Sequence, residues 1–292
     1  MTALRKPAPG APELVEGEFP FDLDDFRRIA SLLYSMAGIT LPDAKATLVY
    51  SRLAKRLRSL GLASFADYCV LLDDPVEGPD ERRRMLTALT TNVTRFFREP
   101  HHFEHLASRV IAPMVDQVRA GGRLRLWSAG CSTGQEPYSM ALTVLQALPQ
   151  APDLDVRILA TDIDPEVIAR GREGSYGEAE LAGVPAESLQ RWMERSGDGW
   201  AAGGAMRGLV AFRELNLMDD WPLKGGFQAI FCRNVVIYFD EATQERIWRR
   251  FEPLLAPEGR LYVGHSERVP PGLTGFESDG LTAYRRLARA LP

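Results

Sequence analysis

Between Leu124 and Leu145 a strand, a glycine-bracketed turn and a helix follow one another without a break. Leu124, Leu126 and Trp127 form an apolar-alternating run that reads as a strand. Gly130 and Gly134 bracket a turn of small residues. Pro137 then opens a helical pattern of Met140, Leu142, Val144 and Leu145. Proline suits the first helical position, where its missing N–H has no intrahelical partner to lose. This layout sets backbone N–H groups and a helix N-terminus against a nucleotide-like ligand. The turn does not match the dinucleotide pattern Gly-x-Gly-x-x-Gly. Its Glu136 would repel a pyrophosphate but suits an amino group or a sulfonium. The residues therefore point away from NAD and toward S-adenosylmethionine (AdoMet).

The chain around this turn alternates strands with helices from Gly121-Gly122 onward. Expected strands are about 123–128, 156–161, 227–232 and 259–264, with a possible last strand at 282–286. Expected helices are 137–148, 165–171 and 241–254. Such alternation gives a parallel sheet wrapped on both faces, with ligands at the carboxyl ends of its strands. Asp162, at the end of the second strand, is the candidate for a ribose hydroxyl pair, and Asp164 is expected to cap the helix that opens at Pro165. Gly197, Gly199, Gly203 and Gly204, with β-compatible flanks, read as a small hairpin excursion at about 192–215.

Before this region the pattern is different. Residues 1–20 carry Pro7, Pro9, Pro12 and Gly10 with little apolar content and read as a disordered leader. Residues 21–90 are helical throughout. Asp24 or Asp25 is expected to cap the first helix. The second carries a buried stripe of Leu53, Leu57 and Leu60 and stops at Gly61. Its Lys45, Arg52, Lys55 and Arg56 fall together on another face, either as solvated surface or as a docking surface for an acidic helical partner. Residues 91–292 form the second expected domain. At its start, Thr91 to Phe103 is polar, aromatic and basic, the composition of a ligand site. His101, His102 and His105 lack acidic or cysteine partners at ligand spacing, so no metal is expected.

Bulk properties narrow the classes further. The 292 residues are 45% hydrophobic and 25% charged, enough for a sizeable core. A net charge of −4 argues against a nucleic-acid partner. Cys69, Cys131 and Cys232 have no metal-ligand spacing and suit a reducing compartment. With no signal peptide and no long apolar run, the expectation is a cytoplasmic protein with no direct membrane insertion.

Three blocks now agree. Thr91-Asn92-x-Thr94-x-Phe96-Phe97-Arg98-Glu99, Gly134-Gln135-Glu136-Pro137-Tyr138-Ser139 and Cys232-Arg233-Asn234-x-x-Ile237-Tyr238-Phe239 together resemble the chemotaxis receptor glutamate O-methyltransferases, the CheR family. The resemblance covers about residues 21–286. It implies an all-α N-terminal domain before an α/β, Rossmann-like, AdoMet-dependent methyltransferase domain with a mostly parallel sheet and a small β-subdomain. It implies that Asn92, Thr94 and Arg98 line the cofactor cleft, and that Glu136 receives the methionyl or ribosyl end of AdoMet. Asp162 would hold the ribose, Asn216 and Leu217 would flank the adenine, and Arg233 and Asn234 would close the cleft. Arg98 and Tyr238 would face the reacting methyl. Gln135 departs from the pattern, since relatives often carry a second Glu there.

The implied reaction turns glutamate side chains of methyl-accepting chemotaxis receptors into methyl esters and leaves S-adenosylhomocysteine (AdoHcy). A monomer acting on acidic receptor helices is the expectation. The hairpin between Met193 and Asn216 looks shorter than in relatives that grip a receptor's C-terminal peptide, which favours a tail-independent enzyme. Two other readings keep the fold: a regulatory AdoMet-binding module without catalysis, and a methyltransferase with a different acceptor.

Overall fold

A computed structural model describes residues 14–287. The chain divides into two compact units, one ending at Thr91 and the other starting at Asn92.

The first unit holds four helices: α1 (Leu23–Ala37), α2 (Ala46–Leu60), α3 (Phe65–Asp73) and α4 (Gly78–Leu89). Asp22, not Asp24 or Asp25, caps α1. Its side chain accepts from the Asp25 N–H at 2.9 Å, and Asp25 answers by accepting from the Asp22 N–H, a reciprocal box that satisfies two orphan donors. Gly61 ends α2 at φ 67°, as a left-handed terminator should. Phe26, Ile29 and Leu33 of α1, Val49, Leu53 and Leu57 of α2, and Phe65, Tyr68 and Leu72 of α3 form the buried interior. Leu60 does not join them: as the last residue of α2 it is exposed. The leader expected over residues 1–20 lies outside the described residues as far as residue 13. Residues 14–20 differ from that expectation, because they are folded onto the helices. Phe19 is buried and its N–H donates to the Tyr50 hydroxyl at 3.0 Å, while the Phe21 ring packs on Phe65 with centroids 4.2 Å apart.

One polar network is built into this helical interior. The Glu81 carboxylate is buried and accepts two bonds from the Arg56 guanidinium, at 3.0 and 2.6 Å, and one from the Tyr68 hydroxyl at 2.9 Å. Removing the cation strands a buried charge, which costs about 3 kcal/mol or more. Arg56→Ala should therefore lower the denaturant midpoint of the full-length chain's helical unit, with a loss of unfolding free energy of that order. A midpoint within error of the parent would show the pair to be stability-neutral.

The second unit is built on a seven-stranded sheet. In chain order its strands and those of a smaller sheet are β1 (Leu124–Ala129), β2 (Val156–Asp162), β3 (Ser175–Gly177), β4 (Met193–Ser196), β5 (Gly199–Ala202), β6 (Val210–Glu214), β7 (Phe227–Cys232), β8 (Leu255–Val263), β9 (Phe276–Ser278) and β10 (Ala283–Arg286). The large sheet runs β6-β2-β1-β7-β8-β10-β9. Its first five strands are parallel, and β10 and β9 are antiparallel additions. Before β1 a helical run starts at α5 (His101–His105), passes through a π-helical turn at Leu106–Ile111 and ends in α6 (Val115–Arg119). Pro113, which has no N–H to donate, sits in the short 3₁₀ segment between the last two. Helices α7 (Gln135–Ala147), α8 (Pro165–Glu173), α9 (Ala186–Trp192), α10 (Gly204–Leu209) and α11 (Glu241–Phe251) complete the unit.

Alternation along β1 divides the core into two layers. Leu126 packs in a cluster with Met140 and Leu142 of α7, and Trp127 in another with Trp248 and Phe251 of α11. After β1 the chain builds outward through β2 to β6. It then crosses back to place β7 on the other side of β1. That reversal is the switch point at which open α/β sheets leave a crevice beyond their carboxyl ends. The excursion expected at about 192–215 is partitioned differently. β4 and β5 form the hairpin, turned at Gly197 with φ 55°. Its third strand is β3, from the Ser175–Gly177 segment, while Val210–Glu214 joins β2 as the far edge of the large sheet. The Phe212 side chain is buried in the large-sheet core.

Candidate functional site

The site is assembled at the ends of β1, β2 and β7. The β1 turn leaves the strand through Gly130, at φ 86°, and Ser132, at φ 48°. Gly130 is required there, because a Cβ would lie 2.3 Å from a methyl of Val235 in the segment after β7. The turn enters α7, and Glu136 falls in that helix's first turn, where the positive end of the dipole favours an acid.

Glu136 is buried. Its Oε1 accepts from the Ser128 hydroxyl at 2.7 Å and its Oε2 from Arg233 Nη1 at 3.0 Å. Burial pushes its pKa up, and the nearby guanidinium only partly offsets this.

Asp162 ends β2, as the sequence suggests. Its Oδ2 accepts from the Ser132 N–H at 2.8 Å and its Oδ1 from the Asp164 N–H at 3.1 Å. Burial raises its pKa to about 6. Asp164 caps α8 by accepting from the Glu166 N–H at 2.9 Å. Asn92 reaches the same corner: its Nδ2 donates to Asp164 at 3.0 Å and its carbonyl accepts from the Ser132 hydroxyl at 2.8 Å.

Arg233 binds the blocks together. Its side chain is 1% exposed. Beyond Glu136 it lies 3.3 Å from Glu99 and donates to the Arg98 carbonyl. Both terminal nitrogens are thus engaged with protein acceptors. Arg98 itself is half-buried and its Nη1 donates to the Val93 carbonyl at 3.2 Å. Thr94 is half-buried in the same segment. Phe97 and Glu99 take left-handed backbone, with φ 49° and 58°, and the Phe97 N–H donates to the Ser139 hydroxyl at 2.9 Å. Asn234 is also left-handed, at φ 59°. Tyr238 ends a short 3₁₀ turn, Val236–Tyr238, and is half-buried. Beyond β6, Leu217 is buried and Asn216 Oδ1 accepts from the Met218 N–H at 3.0 Å.

Gln135 explains its own departure. Its Oε1 accepts from the Thr133 hydroxyl at 2.7 Å, and its Nε2 donates to Glu180 at 3.3 Å. A second Glu here would set two carboxylates against each other.

Glu99 Oε2, His101 Nε2 and His102 Nδ1 lie within 4.8 Å of one another. The Arg233 guanidinium already stands 3.3 Å from that same Glu99 oxygen. A fixed cation this close disfavours a second one. Burial drives the His102 pKa down to about 3, so the ring is neutral and its Nε2 serves the Leu281 carbonyl at 3.0 Å. Glu99 is thus an acidic partner of the two histidines, which the sequence spacing did not show, and Arg233 competes for it.

Of the four docking candidates in the helical unit, Lys45 and Lys55 are exposed. Arg52 is turned onto its own unit, donating to the Leu89 and Thr90 carbonyls at 2.6 and 2.9 Å, and Arg56 holds Glu81. Sequence reasoning also passed over Ser128, Ser132, Glu99 and Glu267. The last lies four residues beyond the end of β8, and no local pattern in the sequence marks it.

A switch-point cleft beyond the carboxyl ends of parallel strands, holding a buried Glu136 and a half-buried Asp162, has the layout of a Rossmann-like, AdoMet-dependent methyltransferase. The family descriptions "CheR methyltransferase, SAM binding domain" and "CheR methyltransferase, all-alpha domain" match residues 92–284 and 24–90. The chain belongs to the CheR methyltransferase family. It is 51% identical over 265 residues to a probable chemotaxis protein methyltransferase of Rhizobium etli, covering 89% of this chain and 98% of the relative. It is 44% identical to chemotaxis protein methyltransferase 2 of Pseudomonas aeruginosa, over 91% of this chain and 94% of the relative. The chemotaxis protein methyltransferase of Escherichia coli is also 44% identical, over 89% of each chain.

The pKa of Asp162 gives a test of the cleft. A ribose diol donates to the ionised carboxylate, and with the folded pKa raised to about 6 the ionised form is lost as pH falls through that value. AdoHcy affinity, measured by calorimetry, should be level from pH 7 to 8 and decline below about pH 6. Constant affinity down to pH 5 would remove Asp162 from the binding set.

Proposed function

We propose that this enzyme, a cytoplasmic monomer, transfers the methyl group of AdoMet to glutamate side chains of chemoreceptors, giving glutamate methyl esters and AdoHcy. The reading rests on the Arg233 clasp, which gathers all three sequence blocks around a buried, ammonium-receptive Glu136. Family membership supports the acceptor, and the three relatives named above carry chemotaxis in their names.

When bound, AdoMet supplies an electrophilic methyl on a sulfonium whose C–S electron pair leaves with sulfur. The acceptor carboxylate is already ionised at neutral pH, so the enzyme's residues have no proton to move. Their work is alignment, which supplies much of such a rate acceleration. Glu136 orients the amino end, Asp162 the ribose, and Asn216 with Leu217 the adenine. Asn92, Thr94 and Asn234 shape the walls, and Arg233 holds Glu136 in place. Arg98 orients the incoming carboxylate through a charge-assisted hydrogen bond, and Tyr238 bounds the methyl-donor end. Opposite charges on acceptor and donor disappear in the reaction, a change that a poorly solvated cleft favours.

Incubation with radiolabelled AdoMet and receptor-bearing membranes should put alkali-labile label on the receptors. Arg98→Ala should cut that transfer on the order of 10²-fold, the penalty of a misaligned acceptor, with the fold retained. An unlabelled receptor, with AdoHcy still bound by the enzyme, would discard the acceptor.

Docking is assigned to Lys45 and Lys55, the two solvent-facing cations of the basic set. Charge reversal at both should slow receptor methylation most at low salt, where long-range attraction is least screened. Arg52 and Arg56 are unsuitable probes, because both hold the helical unit together. Equal slowing at every ionic strength would count against an electrostatic dock.

A further inference from the structure

Glu267 lies outside all three sequence blocks, yet the block after β7 is folded upon it. Its residue is 2% exposed. Oε2 accepts from the Gly264 N–H at 2.6 Å and the Asn234 N–H at 2.8 Å. Oε1 accepts from three successive N–H groups, Val235 and Val236 at 2.9 Å each and Ile237 at 3.3 Å. Five backbone donors therefore converge on one carboxylate.

The first N–H groups of a helical turn have no partner within it and are ordinarily met by a side chain just before the turn. Val235 precedes the turn Val236–Tyr238 and has no oxygen to offer. The cap comes instead from Glu267, some thirty residues later in the chain. The same carboxylate ties Asn234, in its left-handed conformation, to the end of β8. Strained backbone of this kind persists only where its surroundings over-determine it. Gly264 makes the approach possible, since a Cβ there would lie 2.5 Å from Asn234 Nδ2 and 2.8 Å from Glu267 Oε2.

We propose that Glu267 is a positioning residue for methyl transfer: its carboxylate sets the backbone that carries Asn234 and Tyr238, and through it the cleft wall and the methyl-donor end. This rests on the functional reading above for the roles of those two residues. Glu267 touches neither cofactor nor acceptor in this role; it acts through five peptide N–H groups.

Glu267→Gln separates this role from a general contribution to stability. The amide keeps the shape but brings an NH2 where only acceptors are tolerated. Either the Asn234 and Gly264 donors or the three of the turn then lose their partner. In the full-length enzyme the variant should fold with a cooperative transition, bind AdoHcy at least tenfold more weakly, raise KM for AdoMet and lower kcat. Amide exchange should quicken either at Asn234 and Gly264 or at Val235, Val236 and Ile237, but not along β7. Gly264→Ala, which changes no charge, should give the same kinetic pattern and decides the question if the Gln variant does not fold. Wild-type Kd, KM and kcat in a folded variant, whatever its thermal midpoint, would overturn the proposal. The AdoHcy measurement needs no methyl acceptor, so an error in the acceptor leaves this test readable.

Discussion

One buried guanidinium holds the site together. Arg233, at the end of the strand that crosses back past β1, meets a glutamate from α7, a glutamate from the segment before α5, and a main-chain carbonyl beside the latter. A charge so far from water is tolerable only when its donors find acceptors with good geometry. The three partners therefore have to be where they are. Displacing either glutamate removes one of the two negative charges that face this buried cation.

The sheet order explains why this clasp stands at a cleft. Chain growth leaves β1 in one direction and returns in the other, so the helices on its two sides diverge. The first turn of α7 carries Glu136, and Asp164 caps α8. Two of the resident acids are pushed above their ordinary pKa by burial. Each accepts two hydrogen bonds from the protein, Glu136 from Ser128 and Arg233, and Asp162 from the Ser132 and Asp164 N–H groups. What the reaction needs beyond this is alignment of two oppositely charged partners, which rigid walls provide.

Much of this architecture is legible in the sequence. The β1 strand, the Gly130–Gly134 turn and the acid at the end of β2 each declare themselves through local chemistry: alternation, glycine at positive φ, and a carboxylate after a β run. The misreadings share a cause. The basic stripe of α2 looks uniform on a helical wheel, but whether Arg52 faces water or a neighbouring carbonyl depends on α4, which no local pattern encodes. Val210–Glu214 has the composition of a hairpin flank and pairs instead with β2, a non-local choice made by the burial of Phe212. Phe19 sits in a proline-bearing leader whose composition suggests disorder, and only the interior around Tyr50 recruits it. Glu267 escaped because its partners are peptide groups, which leave no trace in residue identity.

Among the described residues, six that are not glycine have positive φ, and four of these, Phe97, Glu99, Ser132 and Asn234, stand in the motif segments around the cleft. Each carries a side chain on backbone that glycine would adopt more easily. Evolution has therefore accepted local strain at the mouth of the cleft in exchange for definition of its walls. A glycine at Asn234, whose bond to Glu267 is made by its backbone, would relax that strain while letting the machinery it frames drift out of true.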